Sequence, residues 1–282
     1  MTLWSTYLNS HLRFIDAAGI RTRVVTTPGP TDRRPVLLLH GRGGHLESFH
    51  RNVAALSTHS EVVAFDLLGH GLTAHAGTTY DIGEITRHAN HVIDLLDDGR
   101  GFDVVAQSLG AWTAMLSSLE RPGRFGRMVL IEPAGLQRQS ERLDDPRVRQ
   151  ASSAGGQAFD NPTAENVRLR FAQLLHDPGS CDDEMVELRC RLYRLPGAGA
   201  VHKAVRTADN DTDVITSHAL RDIAAPVLFV RGEHAHLPTD LLRDAADHIS
   251  GAELFTVEAA KQWPHYEQPD QVNARVIHHF ER

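Results

Sequence analysis

The chain predicts an α/β fold: a mostly parallel eight-stranded sheet flanked by helices, with an inserted helical cap. Three observations carry this. Short apolar runs alternate with amphipathic segments along most of the chain, the pattern of a sheet covered on both faces. Two of those runs break abruptly into small-residue turns, at His40-Gly41-Arg42-Gly43-Gly44 and at Ala106-Gln107-Ser108-Leu109-Gly110. The alternation stops between about 137 and 217, where the chain turns charged and helix-like, and then resumes.

Taken in order, strands are expected over 12–17 and 20–27, a hairpin turning at Ala17-Ala18-Gly19. There follow strand 35–39, helix 47–57, strand 61–66, helix 81–97, strand 102–107, helix 109–120 and strand 127–132. Leu169, Phe171, Leu174 and Leu175 share one apolar helical face in the cap, which Gly155-Gly156 and Pro196-Gly197-Ala198-Gly199 interrupt. The core resumes with strand 226–231, whose short β-branched run after Pro226 excludes a helix, then helix 239–249, strand 253–258 and a helix over 270–281. Residues 1–136 and 218–282 therefore form the core, and 137–217 the cap.

With 282 residues the chain suits one domain of this kind. A formal net charge of −7 argues against a nucleic-acid partner. The two cysteines, Cys181 and Cys190, supply neither a disulfide framework nor zinc spacing and read as reduced thiols. No His/Asp/Glu spacing indicates a metal, and no cofactor is expected. The N-terminal residues lack the pattern of a signal peptide, and no apolar stretch reaches the roughly 20 residues of a membrane span. The expectation is a cytoplasmic protein with a small-molecule substrate, no membrane partner and an oligomeric state that the sequence leaves open.

The second break is the chemically loaded one. A strand-forming run (Phe102, Val104, Val105) leads into small-x-Ser-x-small and then into the helix-favouring Ala111-Trp112-Thr113-Ala114. Such a strand–turn–helix exposes a serine Oγ above a sheet and aims the next backbone N–H at a developing oxyanion. Upstream, Pro35-Val36-Leu37-Leu38-Leu39 opens into a glycine loop whose amides can approach a substrate oxygen closely. Between them, Val62-Val63-Ala64-Phe65-Asp66 ends in Asp-x-x-Gly-His-Gly.

In order and spacing these three motifs strongly resemble those of the α/β-hydrolase superfamily, over nearly the whole length. The nearer likeness is to capped hydrolases that cleave carbon–carbon bonds of meta-ring-fission products, and to related esterases. The resemblance implies a nucleophilic Ser108 and an oxyanion hole from the N–H groups of Arg42 and Leu109, with Gly41 and Gly43 beside the substrate. It also exposes departures. Relatives carry Gly-x-x-Asp where this chain reads Gly232-Glu233-His234-Ala235, and Gly-His-Trp-Pro where it reads Lys261-Gln262-Trp263-Pro264. Ala235 thus stands at the acid position and Gln262 at the base position. Glutamine does not titrate near neutral pH and cannot take the serine proton. With Lys261 also replacing a glycine and the serine intact, the changes read as natural divergence.

Glu132, at a strand end from which some relatives take their acid, is the leading substitute carboxylate; its plainer reading is a carboxylate satisfied by loop amides. His265 reaches the pocket if its loop turns inward. His234 or His236 is a further substitute at the vacated acid site, packing being the plainer role, and His40, His45 and His70 belong to loop bracing. The Arg42 side chain is expected toward solvent or a surface carboxylate, with binding of a substrate carboxylate as the second reading. Trp112, Trp263 and Phe171 line an apolar substrate cavity or simply fill the core. Asp97-Asp98 is a solvated helix end.

The favoured reading is an enzyme with a degenerate triad that acts on a carbonyl-containing substrate by elimination, decarboxylation, cyclisation or carbon–carbon cleavage, with cofactor-independent oxygenation conceivable by fold analogy alone. The alternatives are a serine hydrolase rebuilt from Ser108, Glu132 and a non-standard histidine, and a ligand-binding protein without catalysis.

Overall fold

The computed structural model describes residues 2–282; Met1, first residue of the expected core, lies outside them. The core opens with α1 (Leu3–Thr6), β1 (His11–Ala17), β2 (Ile20–Thr27), β3 (Val36–Leu39), α2 (His50–Leu56), β4 (Val62–Phe65), α3 (Ile82–Leu96), β5 (Phe102–Gln107), α4 (Leu109–Glu120) and β6 (Phe125–Ile131). Five helices follow, α5 (Gln139–Leu143), α6 (Pro146–Asp160), α7 (Ala164–Leu174), α8 (Asp183–Tyr193) and α9 (Ala198–Thr207). The chain returns through α10 (Ser217–Leu220) to β7 (Val227–Gly232), α11 (Thr239–His248), β8 (Glu253–Val257), α12 (Pro264–Glu267) and α13 (Pro269–Phe280).

The eight strands form one sheet in the order β1-β2-β4-β3-β5-β6-β7-β8, antiparallel at the first two pairings and parallel from β4 onward. The β1–β2 hairpin turns on Ala18 and Gly19, both at positive φ (55° and 84°), as a two-residue turn between right-twisted strands requires. Successive strand residues face opposite sides. Leu37, Leu39, Val104 and Ala106 pack under α3 and α4, whereas Leu38, Val105 and Val129 pack under α2 and α13. A third apolar cluster, with Phe171, Met185, Trp263 and Tyr266, joins the helices between β6 and β7 to the segment around α12.

The structure departs from expectation in three places. The short helices α1 and α12 were not legible, and the helix expected from residue 47 begins with a tighter turn over Leu46–Phe49. Gly155-Gly156 does not interrupt a helix: it lies inside α6. A Cβ at Gly155 would stand 3.1 Å from Arg170 Nη1, so the glycine makes room for an arginine of α7. Among the described residues, no helix is long and apolar enough to cross a membrane.

Candidate active site

Ser108 occupies the hinge between β5 and α4 at φ 50°, ψ −109°, a strained conformation for a residue with a Cβ. Its backbone is tied on both sides. The Ser108 N–H donates to the Ile131 carbonyl (2.9 Å), and the Ser108 carbonyl accepts from Trp112 N (3.0 Å) and Ala134 N (3.2 Å). The turn fits because Gly110 lacks a Cβ, which would lie 2.3 Å from the Leu39 carbonyl oxygen. Strain held by this many contacts leaves Oγ presented at a cavity of about 210 Å³ between the sheet ends and the intervening helices.

The glycine loop after β3 is oriented with the same care. The Gly41 carbonyl accepts from Gly44 N (2.9 Å) and His40 Nδ1 (2.8 Å). His40 Nε2 accepts from Leu67 N–H (3.0 Å), so the ring proton resides on Nδ1. Burial holds His40 neutral, with a pKa lowered to about 3. Because a trans peptide points its N–H opposite its C=O, fixing the Gly41 carbonyl fixes the Arg42 N–H. Among the described residues, neither Arg42 N–H nor Leu109 N–H has an acceptor, as an oxyanion hole requires. The next two carbonyls are held from the cap side: Arg170 Nη2 donates to the Arg42 carbonyl (3.0 Å) and Tyr193 OH to the Gly43 carbonyl (2.9 Å). Gly43, at φ 66°, permits that approach, since a Cβ there would meet Arg170 Nη2 at 2.7 Å.

Beneath the loop lies a buried ion network. Arg23 donates to both Asp66 oxygens (2.6 and 3.1 Å) and both Glu47 oxygens (2.8 Å each). Asp66 also accepts from Leu46 N and Leu72 N at 2.8 Å. Burial opposes ionisation of Glu47, but His45 and Arg23 outweigh it and hold the carboxyl well below the carboxylate range. Arg23, Asp66 and Glu47 satisfy one another, only His45 Nε2 being without a partner among the described residues, and the network anchors the chain after β3 to the chain after β4.

Glu132 follows β6 at φ 43°, a second strained non-glycine residue. Its Oε1 accepts from Gly232 N (2.7 Å), while buried Oε2 has no partner among the described residues. Burial raises its pKa from an ordinary 4.5 to about 8, against the lowering effects of the Gly232 hydrogen bond and of Arg231 and Arg142. It is therefore a protonated acid at neutral pH, facing the same cavity as Ser108, Arg42, Gln262 and Trp263. Gln262 is pinned by its N–H to the Leu174 carbonyl (2.9 Å), and its Nε2 is buried without an acceptor. Ala235 is buried, is not among the residues that line the cavity, and offers no carboxylate.

Other expectations fall differently. His265 does not line the cavity. Pro264 starts α12, which turns His265 inward against Phe49 and Trp263, with ring centroids 4.9 and 5.7 Å away, and burial lowers its pKa to about 3. Trp112 is core, its Nε1 donating to the Asp213 carbonyl (3.1 Å), and Phe171 packs edge-on to Trp263. The Arg42 side chain points neither to solvent nor to a surface carboxylate; it is partly buried and lines the cavity. His236 lines the cavity with both ring nitrogens unpartnered, its pKa lowered to about 4 by burial and the nearby Lys261 and Arg147. Sequence reading missed Arg142, Arg170 and His202, which come from α5, α7 and α9. Those helices carry no fixed spacing to mark them. Arg189, wholly buried, rests 4.6 Å from the ring centres of both Phe171 and Trp263 and stands behind this wall.

Comparison with known proteins agrees with the fold. A family model described as "Alpha/beta hydrolase family" matches residues 36–275. The chain is 26% identical over 276 residues to 2-hydroxymuconate semialdehyde hydrolase of Pseudomonas putida, covering 95% of this chain and 93% of that one. It is 27% identical over 248 residues to the dihydrolipoyllysine-residue acetyltransferase component of the acetoin cleaving system of Pseudomonas putida, where it covers 86% of itself but spans only 62% of the relative. Its structure superposes on 2-hydroxy-6-oxo-6-phenylhexa-2,4-dienoate hydrolase from a Rhodococcus strain with a TM-score of 0.83, at 20% identity, covering 97% and 99% of the two chains. At that identity the superposition speaks for the fold alone.

Proposed function

The chain belongs to the alpha/beta hydrolase family, and from that premise we propose that it is an enzyme that acts on a small carbonyl-containing substrate without forming an acyl-enzyme. The observation that carries this is the pairing of a free oxyanion hole with Glu132 as the proton-bearing group, while the base position holds Gln262. Elimination, decarboxylation, cyclisation and carbon–carbon cleavage share one demand. The electron pair released at the breaking bond collects on the carbonyl oxygen as an enolate, and a proton must be placed on or taken from carbon. The Arg42 and Leu109 N–H groups receive the first charge. Glu132, titrating near neutral pH, handles the proton. Ser108 and Gln262 act as hydrogen-bond donors that position the substrate.

His236 favours a second reading. A neutral imidazole lines the same cavity as Ser108 and Glu132, as a rebuilt serine hydrolase would need. Intact-protein mass after exposure to a serine-directed fluorophosphonate separates the two. The expected result is no adduct on wild type and an adduct at Ser108 on the Ala235→Asp/Gln262→His double variant. An adduct on wild-type Ser108 would replace the proposal with the rebuilt hydrolase.

A further inference from the structure

Four guanidiniums surround the Ser108 cavity or its wall with too few carboxylates to balance them. Arg42, Arg142 and Arg170 line it, and Arg206 stands behind α6, near Gly156. None forms an ion pair among the described residues, and the side chains of Arg42 and Arg142 donate no hydrogen bond there. Arg170 is buried (6% exposed); it spends Nη2 on the Arg42 carbonyl and leaves Nε without a partner. The crowding is costly. Burial together with Arg142, Arg170 and Arg206 lowers Arg42 to about 9, and burial lowers Arg142 and Arg170 as well. Arg170 braces the glycine loop, but among the described residues the Arg42 and Arg142 side chains make no bond that serves the fold, so the partner these two call for is a counter-ion.

The other charged groups facing the cavity offset these guanidiniums only in part. Asp145 is held by Arg147 (2.6 Å), Glu141 accepts from the Arg138 N–H of its own helix start (3.0 Å), and Glu132 is protonated at neutral pH. Burial keeps His202 and His236 neutral. Counting Arg147 against the two rim carboxylates leaves about two uncompensated positive charges from the three lining arginines. Planar guanidiniums suit a compact oxyanion held by several N–H donors.

We propose that Arg42, Arg142 and Arg170 form a subsite for a dianionic group of the substrate, either a phosphoryl group or two neighbouring carboxylates, beside the carbonyl held at Ser108. The inference rests on reading the cavity as a substrate pocket; it takes Glu132 as uncharged but does not require Glu132 to move a proton in the reaction. Its test is calorimetric titration in chloride-poor buffer near neutral pH with inorganic phosphate, malonate, acetate and acetamide. Phosphate or malonate should bind, acetate about tenfold more weakly, and acetamide not at all. Preference for phosphate assigns a phosphoryl group, and preference for malonate assigns paired carboxylates. Arg42→Gln and Arg142→Gln should each weaken the preferred dianion about tenfold or more with an unchanged thermal midpoint. These partly exposed positions are chosen because buried Arg170 braces the loop. Glu132→Gln should retain dianion binding, so failure of the proton assignment and failure of the subsite give different results. Absence of binding by both dianions, or equal affinity in the two arginine variants, overturns the proposal.

Discussion

Arg23 is buried and Arg42 partly buried, yet among the described residues one guanidinium is fully paired and the other has no partner. Arg23 meets two carboxylates through four hydrogen bonds, and its charge strengthens the loops that carry the oxyanion hole. Arg42 and Arg142 line the cavity beside Arg170, which holds the Arg42 carbonyl, and among the described residues none of the three meets a carboxylate in an ion pair. The contrast separates two uses of a buried charge. Balanced within the chain, it fixes backbone; left unbalanced, it stores affinity for something the chain does not contain.

The sharpest way to break the comparison is to unbalance the paired site. Asp66→Ala leaves Arg23 with Glu47 alone and Leu46 N–H and Leu72 N–H without their acceptor, and should destabilise the fold by about 3–5 kcal/mol in urea unfolding. Arg42→Gln, measured alongside, should change stability by less than about 0.5 kcal/mol. Equal losses in the two variants would mean that Arg42 is structural after all.

Glu132 gives the next largest effect, and its sign is definite. An acid whose folded pKa is raised from 4.5 to about 8 contributes stability that is complete below pH 4.5 and is lost as pH rises through about 8. Wild type should therefore lose about 2–4 kcal/mol relative to Glu132→Gln between those limits. Parallel stability–pH curves would show that the carboxyl ionises normally and is not the proton carrier.

The smallest effect concerns strain. Ser108→Gly should stabilise the fold by about 1 kcal/mol, because glycine accepts φ 50° without a Cβ penalty, while it removes the hydroxyl from the cavity. A loss of stability instead would show that Oγ makes a contact the fold needs.

The catalytic wall on the core side was legible because its chemistry is local. A serine between small residues after an apolar run can only be a tight strand-to-helix turn, and Glu132 could be placed from the end of the next strand. The cap-side wall was not. Arg142, Arg170 and His202 come from three separate helices, and nothing in their spacing brings them to one cavity. Gly155-Gly156 read as an interruption because glycine weakens helices, yet tertiary contact overrides propensity when an arginine needs the space. His265 was misjudged for a related reason. One short helix begun by Pro264 rotates it away from the cavity and into the core.

What the sequence determined alone was periodicity and short-range geometry: the order of strands and helices, the elbow at Ser108 and the glycine loop. Those follow from steric rules acting over a few residues. Only the tertiary structure decided which charges find partners. Pairing depends on distances between segments far apart in the chain, and burial then sets the cost of each charge left over. That is why Asp66 and Arg23 ended as a scaffold, while Arg42 ended lining the cavity beside Ser108.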